Sequence, residues 1–225
     1  MRIEQSAGVE GAREARGLVV VIDVLRAFTV SAYALAGGAR EVLYVADLDR
    51  AREVAAKIPG AILCAEVDGL PVAGVPISNS PTMIEAADLA GRTLVQRSSA
   101  GVQSLAAAAG AAQLFAAGLV VAEATARRVL ELEPAVVTLI ASRPDHPEDA
   151  ACAAYLAGLL RGSLPDLESL LGPLRASSRY AELARGAVPG FPATDLDLAL
   201  ALDRFDFALP VERTVDGLLR VRRSR

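Results

Sequence analysis

The 225-residue chain is poor in the residues that most often bind transition metals, form crosslinks or stack on nucleic-acid bases. It has one histidine, two cysteines, no tryptophan and only 4% aromatic residues. One histidine excludes a two-histidine metal site within the chain, and two cysteines outside a CxxC arrangement exclude a zinc ribbon and a disulfide scaffold. Any metal would therefore rest on carboxylates, carbonyls and water, which are the ligands that Mg²⁺ prefers.

Charge and hydropathy exclude two further classes of partner. The formal net charge is −4 and no basic stripe occurs, so a nucleic-acid surface is not expected. Glycines and polar residues interrupt the alanine-rich run 105–126, which predicts a helix, a strand and a helix and not a membrane span. Because the first five residues lack an apolar signal core, we expect a cytoplasmic protein in which Cys64 and Cys152 are reduced and buried.

Strand and helix patterns alternate along the chain. Strands are predicted near 19–23, 41–45, 61–65, 93–96, 113–116, 136–141, 205–209 and 218–222. Helices are predicted near 27–36, 48–58, 81–90, 102–109, 121–131 and 148–161, with others between 167 and 202. This alternation predicts a three-layer α/β/α fold with a largely parallel or mixed sheet. Residues 1–225 would form a single α/β domain, built as one lobe or as two intertwined lobes.

The most informative segment is the buried-strand pattern Val19–Ile22, which ends in Asp23 and is followed three residues later by Arg26. An unpaired carboxylate is costly to bury, whereas the carboxyl ends of strands in an open α/β sheet form a ligand crevice. Asp23 and Arg26 therefore indicate a site for a phosphorylated or otherwise anionic substrate, with or without a metal. The alternative is a buried ion pair between the two residues that fastens the turn.

Two later strand patterns also end in polar residues. Glu66 directly follows an apolar strand and has no helix to cap, and the loop from Ser98 to Gly101 opens a helix. Small residues in such a loop expose backbone N–H groups, so Ser98, Ser99 and Gly101 predict an anion cradle, with an ordinary serine N-cap as the alternative. If the sheet is parallel there, these loops share its carboxyl edge and line one crevice with Asp23.

Four more polar residues have two interpretations each. Glu148 and Asp149 open the helix after the strand 136–141, as candidate ligands or as partners of the helix dipole. His146 is the only histidine, and we expect an exposed loop residue there more than a general base. Asn79 is the only asparagine, and it either contacts the substrate or caps the helix that starts at Pro81.

Signatures of the common hydrolases are absent. The chain has no GxxxxGK[ST] loop, GxSxG elbow, HExxH helix or GxGxxG turn, and Asp23 lacks the second aspartate that a haloacid-dehalogenase-type phosphatase needs. The segments IDVLRA at Ile22–Ala27, NSP at Asn79–Pro81 and ED at Glu148-Asp149 instead resemble the 2-phosphosulfolactate phosphatase family, over roughly 19–210. The resemblance implies a three-layer α/β fold, dependence on Mg²⁺, and conversion of 2-phospho-3-sulfolactate to sulfolactate and phosphate in coenzyme M biosynthesis.

The resemblance also implies roles for the candidate residues. The Mg²⁺ ligands would come from four carboxylates, Asp23, Glu66, Glu148 and Asp149. Asp23 and Arg26 would be catalytic, with Asp23 acting either as a metal ligand or as a nucleophile. The substrate would be held by five donors, Arg26, Asn79, Ser98, Ser99 and Gly101.

Two loops depart from the family pattern. Val67 stands where an arginine is usual, and Ala100 and Val102 stand where an asparagine and a threonine are usual. Either Arg97 or Arg143 would then replace the missing guanidinium, or the substrate would be less charged. The expected partner is a small anionic phosphorylated substrate, and a homo-oligomer is left open. The alternatives are a related phosphatase for another phosphorylated 2-hydroxy acid and a non-catalytic anion-binding relative.

Overall fold

The structure is a computed structural model that describes residues 1–223. The strands are β1 (Arg2–Ala7), β2 (Gly17–Ile22), β3 (Glu41–Tyr44), β4 (Ile62–Val67), β5 (Leu70–Pro71), β6 (Thr93–Arg97), β7 (Ala111–Ala117), β8 (Val136–Ala141), β9 (Leu209–Arg213) and β10 (Leu219–Val221). The helices are α1 (Gly8–Glu14), α2 (Ala27–Ala36), α3 (Leu48–Lys57), α4 (Pro81–Glu85), α5 (Gly101–Ala107), α6 (Ala122–Glu131), α7 (Pro147–Leu160), α8 (Leu167–Arg175), α9 (Ser178–Ala184) and α10 (Thr194–Leu200). Helices pack on both faces of one mixed, mostly parallel sheet, so the predicted three-layer α/β/α fold is confirmed.

The sheet consists of two parallel groups that run in opposite directions. Its strand order is β1-β8-β2-β7-β9-β10-β3-β6-β4-β5. The strands β1, β8, β2 and β7 are parallel to one another, and so are β3, β6 and β4. Three successive antiparallel pairings, β7 with β9, β9 with β10 and β10 with β3, reverse the direction between the groups. The strands β2 and β6 therefore run in opposite directions, and their carboxyl ends lie at opposite edges of the sheet, whereas an all-parallel sheet would place both at one edge.

The sheet bends around α2, and this bend brings the two groups together. Nine of the ten residues of α2 are buried, as expected of a helix enclosed on all sides. Phe28 of α2 meets Tyr44 of β3 edge to face, with ring centroids 5.8 Å apart. Asp23, which follows β2, accepts a hydrogen bond from the N–H of Gly101, which follows β6. In a flat sheet five strand spacings of about 4.8 Å would hold β2 and β6 roughly 24 Å apart. The hydrogen bond between the residues that follow these two strands therefore requires the sheet to bend.

Several predicted elements differ from the observed ones. β1 and α1 were not expected, because Arg2–Ala7 lacks an apolar alternation and is held through main-chain pairing with β8 at the sheet edge. The strand predicted at 205–209 is wrong, since β9 begins at Leu209. Phe205 and Phe207 instead stack at 5.6 Å, and Phe205 packs against Tyr33 at 4.9 Å. The helix predicted at 81–90 ends at Glu85.

Other expectations agree with the structure. The run 105–126 contains part of α5, β7 and the start of α6. Cys64 and Cys152 are buried and free. None of the helices within residues 1–223 combines the length and apolar character that crossing a membrane requires. The single domain, the cytoplasmic location and the open choice of oligomeric state stay predictions.

Candidate active site

A cavity of about 340 Å³ lies where the ends of β2, β4, β6 and β8 meet the segment 179–191. Its wall contains five of the nine residues predicted for the site: Asp23, Arg26, Glu66, Asn79 and Ser99. The other four, Ser98, Gly101, Glu148 and Asp149, are buried outside the cavity lining. The bend of the sheet therefore assembles much of the predicted crevice, although the strands that supply it are not all parallel.

Asp23 is held by two backbone hydrogen bonds at the start of α2 and α5. Its Oδ1 accepts from the N–H of Ala27 at 3.1 Å, and its Oδ2 accepts from the N–H of Gly101 at 2.9 Å. Burial raises the pKa of Asp23 to about 6, and the nearby carboxylates of Glu66 and Glu148 also raise it, while the two backbone hydrogen bonds lower it. The two hydrogen bonds thus fix the Asp23 carboxylate in place, while its burial and its negative neighbours disfavour its ionised form.

Glu66 accepts hydrogen bonds from the same loop that holds Asp23. Its Oε1 accepts from the N–H of Ser99, and its Oε2 accepts from the N–H of Gly69 at 2.6 Å and from Ser99 Oγ at 3.2 Å. The amides of Ser99 and Gly101 therefore donate to the two carboxylates, and their role in holding a substrate anion stays a prediction. Ser98 Oγ accepts from the N–H of Val102 at 3.1 Å, which is the N-cap alternative.

Arg26 forms its ion pair with a residue that the sequence analysis did not single out. Its Nη1 lies 2.8 Å from Oδ2 of Asp195 in α10 and donates to the carbonyl oxygen of Gly190 at 2.6 Å. The guanidinium also lies over the ring of Phe191, 4.3 Å from its centroid. The buried ion pair predicted between Asp23 and Arg26 is therefore wrong. Within residues 1–223, Nε and Nη2 of Arg26 have no hydrogen-bond partner, so they can serve a ligand in the cavity.

Asn79 is oriented by a chain of buried hydrogen bonds. Tyr44 donates to Ser31 Oγ at 2.9 Å, and Ser31 donates to Oε1 of Gln96 at 2.7 Å. Nε2 of Gln96 donates to the carbonyl oxygen of Ala27 at 2.7 Å and to Oδ1 of Asn79 at 3.0 Å. Because a carbonyl oxygen only accepts, Ala27 fixes the orientation of the Gln96 amide and hence that of Asn79. The amide nitrogen of Asn79 is then left for a ligand.

The structure also shows which residue caps α4. Ser80 is the N-cap of α4, since its Oγ accepts from the N–H of Met83 at 3.3 Å. Asp195 joins this cap by accepting from Ser80 Oγ at 2.8 Å and from the N–H of Thr82 at 3.0 Å. The capping interpretation of Asn79 is therefore wrong, and its side chain is available to the cavity that it lines.

Asp149 fastens two loops behind the cavity. Its Oδ1 accepts from the N–H of Val24 at 2.8 Å, and its Oδ2 accepts from Ser142 Oγ at 2.7 Å and from the N–H of Ser142 at 3.2 Å. Burial, followed by the charges of Asp23 and Glu148, raises the pKa of Asp149 well above its ordinary value. Both oxygens serve the loops after β2 and β8, so Asp149 is a structural clamp and not a residue of the cavity wall.

Glu148 is turned toward an arginine of α9. Its Oε1 accepts from Nη2 of Arg179 at 3.0 Å, and its Oε2 is buried without a hydrogen-bond partner in the part of the chain described. His146 precedes it as the N-cap position of α7 and lines the cavity, so the prediction of an exposed loop histidine is wrong. Burial lowers the pKa of His146 to about 4, and the charge of Arg179 also lowers it, so the imidazole is neutral at pH 7.

The carboxylates fit a magnesium ion that relies on water and substrate for most of its ligands. Within residues 1–223, no group of three His, Cys, Asp or Glu side chains is close enough to hold a metal on its own. Mg²⁺ is usually bound through one or two carboxylates, with water and substrate phosphate completing the shell. Asp23 and Glu66 both line the cavity and supply only oxygen, so this pair fits such an ion. Glu148 and Asp149 are engaged elsewhere, and the predicted four-carboxylate set does not converge.

The sequence analysis missed the contribution of the segment 179–191. Arg179, Phe191 and the Arg26 partner Asp195 carry no motif and lie more than 150 positions from Asp23. Of the two arginines proposed to replace the missing guanidinium, Arg143 lines the cavity. Arg97 instead donates to the carbonyl oxygen of Glu66 and to Ser99 Oγ.

Val67 is exposed and outside the cavity lining, because it points to the other face of β4 from Glu66. Its side chain takes no part in the cavity wall, and the role of a guanidinium at this position stays a prediction.

Comparison with known proteins identifies the family of this chain. Residues 5–205 match the family described as 2-phosphosulpholactate phosphatase. A probable 2-phosphosulfolactate phosphatase of Bacillus subtilis is 36% identical over 146 residues, which is 64% of each chain. One of Carboxydothermus hydrogenoformans is 40% identical over 145 residues, 63% of this chain and 60% of that protein, so the match spans less than two thirds of either relative. The chain belongs to the 2-phosphosulpholactate phosphatase family.

Proposed function

We propose that the chain is a Mg²⁺-dependent phosphoric monoester hydrolase that converts 2-phosphosulfolactate to sulfolactate and phosphate, a step of coenzyme M biosynthesis. The observation that carries the proposal is the pair of carboxylates Asp23 and Glu66, fixed by amides of one loop at a cavity that also contains three arginines. Family membership and the names of the relatives support the same activity.

Asp23 and Glu66 are the residues that would hold the metal. A Mg²⁺ bound by them would neutralise the phosphate and polarise a phosphoryl oxygen. Their backbone hydrogen bonds hold both carboxylates at the cavity before any ligand arrives, which reduces the reorganisation that binding requires. Burial raises the pKa of Asp23 and the charges of Glu66 and Glu148 raise it further, and a bound cation would offset both effects.

Neutral and cationic donors in the same cavity would hold the substrate. Nε and Nη2 of Arg26 and the amide nitrogen of Asn79 are free to donate to its anionic oxygens. The pairing of Arg26 with Asp195 and Phe191 fixes the guanidinium plane, so little side-chain entropy is lost when a ligand binds. A hydrogen bond from a charged donor contributes about 1.5–3 kcal/mol.

Asp23 has two possible roles in the reaction, and both stay open. As a metal ligand or general base, Asp23 would leave water to attack phosphorus directly. As a nucleophile, it would form an aspartyl phosphate.

Borohydride added during turnover reduces an acyl phosphate, so conversion of residue 23 to homoserine would identify the covalent route. An unmodified Asp23 after full turnover would identify direct attack by water.

Phosphate release from a panel of 2-phospho acids tests the proposal. The panel contains 2-phosphosulfolactate, 2-phospholactate and 2-phosphoglycerate, each with Mg²⁺. We expect the highest kcat/KM for 2-phosphosulfolactate and a loss of at least about 10³-fold in Asp23→Asn, because several kcal/mol of charge stabilisation is removed. The control Asp88→Asn alters an exposed acid and should retain activity. Preference for another member would establish the related phosphatase, and release from none would establish the non-catalytic relative.

A further inference from the structure

The three arginines at the cavity differ in how they are engaged. Arg26 is 4% exposed and forms an ion pair with the buried Asp195. Arg143 is exposed and forms an ion pair with the equally exposed Asp145, two positions along the chain. Arg179 is half-buried and is held by Glu148, whose carboxylate is fully buried. Arg179 is thus held in place by a buried carboxylate while part of its side chain stays accessible at the cavity.

Arg179 also has a donor without an acceptor. Its Nη2 donates to Oε1 of Glu148 at 3.0 Å, while its Nε is buried and has no hydrogen-bond partner in residues 1–223. A buried donor without a partner is unfavourable, and a charged one more so. Glu148 is the one acceptor that residues 1–223 offer to this guanidinium, so an anionic oxygen at this wall of the cavity would add a second. Arg179 therefore has the features of an anion-binding residue that awaits its ligand.

Arg179 is a cation next to a neutral histidine in the cavity wall. His146, its neighbour in the lining, is neutral at pH 7 because its pKa is lowered to about 4. Arg179 lines the same cavity as the proposed metal-binding carboxylates Asp23 and Glu66. Glu182, one turn further along α9, also lines the cavity and is exposed to solvent.

We propose that Arg179 binds the sulfonate of the substrate and that Glu148 is the positioning residue that holds the guanidinium for this task. The proposal rests on the proposed function, which provides a substrate with a phosphate and a sulfonate on adjacent carbons. With the phosphate at Asp23 and Glu66, the sulfonate must lie a short distance away. The planar guanidinium donates in directions that match the oxygens of such an anion.

The test compares ligands that differ by the sulfonate alone. Sulfolactate and lactate are titrated into the wild type, Arg179→Met and the control Arg185→Met, which changes an exposed arginine at the end of the same helix outside the cavity. We expect the wild type to bind sulfolactate more tightly than lactate. Arg179→Met should weaken sulfolactate binding by about 10- to 100-fold and change lactate binding less than 2-fold, as expected for one charge-assisted contact. Arg185→Met should change neither.

Variants of Glu148 test whether this residue positions the Arg179 guanidinium that binds the sulfonate. Glu148→Gln keeps an acceptor for Arg179 and should retain most of the preference for sulfolactate, whereas Glu148→Leu should lose it. Arg179→Lys provides a second substitution at the binding position, with an ammonium that cannot form two parallel hydrogen bonds. Thermal unfolding of each variant shows that it is folded.

Three results would overturn the proposal. They are equal loss of sulfolactate and lactate binding in Arg179→Met, no loss of either, and a wild type that does not distinguish the two ligands. The same titrations decide the role of Arg179 even if no 2-phospho acid is hydrolysed. Absence of phosphate release would contradict the proposed function, and retained sulfolactate preference would still support the role of Arg179.

Discussion

Arg26 and Asp195 lie 169 positions apart in the chain and form a buried ion pair, with Nη1 2.8 Å from Oδ2. The same aspartate accepts from Ser80 Oγ and from the N–H of Thr82, so one carboxylate joins the start of α2, the cap of α4 and α10. The C-terminal helical segment is thereby connected to the loop that carries Asp23. This connection closes one wall of the cavity and fixes the cation that faces it.

Removing this carboxylate should destabilise the fold strongly. Asp195→Ala leaves a buried guanidinium and two donors without an acceptor, so we expect a loss of about 3–5 kcal/mol in the free energy of unfolding. Urea denaturation measures it. The matched control is Asp88→Ala, which breaks the exposed pair with Arg92 and should cost less than about 1 kcal/mol. Similar losses in the two variants would show that the Arg26–Asp195 pair is not buried in solution.

Glycine at position 101 is required by the approach of Asp23. A Cβ there would lie 2.6 Å from Asp23 Oδ2 and 3.0 Å from Cζ of Phe28. Gly101→Ala should therefore displace the carboxylate, lower kcat/KM for the preferred 2-phospho acid at least about 10-fold and cost about 1–3 kcal/mol of stability. Gly172→Ala is the control, since nothing lies within 4 Å of its Cβ position in α8, and it should leave activity unchanged. Unchanged activity in Gly101→Ala would contradict the contact.

The raised pKa of Asp23 predicts a pH dependence of stability with a definite sign. The folded protein binds the Asp23 proton more tightly than the unfolded chain, because the pKa rises from 3.8 to about 6. Its contribution to the free energy of unfolding should therefore fall as the pH rises from about 4 to about 6 and stay constant above that, by about 3 kcal/mol in total. The difference between wild type and Asp23→Asn, measured by urea denaturation without metal from pH 4 to 8, isolates this contribution. A difference that does not change with pH would show that Asp23 has an ordinary pKa.

The hydrogen bonds of Gln96 should control ligand binding through Asn79. Gln96→Glu replaces the nitrogen that donates to Ala27 and Asn79 with an oxygen, so the carbonyl and the Asn79 amide lose their fixed arrangement. We expect KM for the preferred 2-phospho acid to rise about 10-fold and stability to fall by about 1–3 kcal/mol. Gln96→Leu should lower stability similarly without adding a charge. The exposed Gln113→Leu serves as the control. An unchanged KM in folded Gln96→Leu would exclude Asn79 from substrate binding.

The sequence predicted the residues at strand ends because local patterns determine them. An unbroken apolar run places Asp23 at the end of β2, and the same argument places Glu66 at the end of β4. The direction of the two strand groups was not predictable in this way, since it depends on the short strands β9 and β10, which pair with each other and join β7 to β3.

The roles of individual side chains were less predictable than their positions. Asp149 and Glu148 have the sequence of a first helical turn, and nothing local shows that one clamps two loops and the other holds Arg179. Arg179 and Asp195 reach the site through contacts between segments far apart in the chain. Such contacts leave no periodic or motif signal, because only the folded arrangement brings the residues together.

The most direct test of the central claim is phosphate release from 2-phosphosulfolactate by the wild type, measured with Mg²⁺ and with excess EDTA. Residues 1–223 give these two fixed carboxylates no third Asp, Glu, His or Cys ligand, so the enzyme should depend on added metal. The account predicts turnover with Mg²⁺, loss of at least about 10³-fold in EDTA, and recovery when Mg²⁺ is restored. Equal turnover in EDTA would contradict the metal assignment, and no turnover in either condition would contradict the proposed activity.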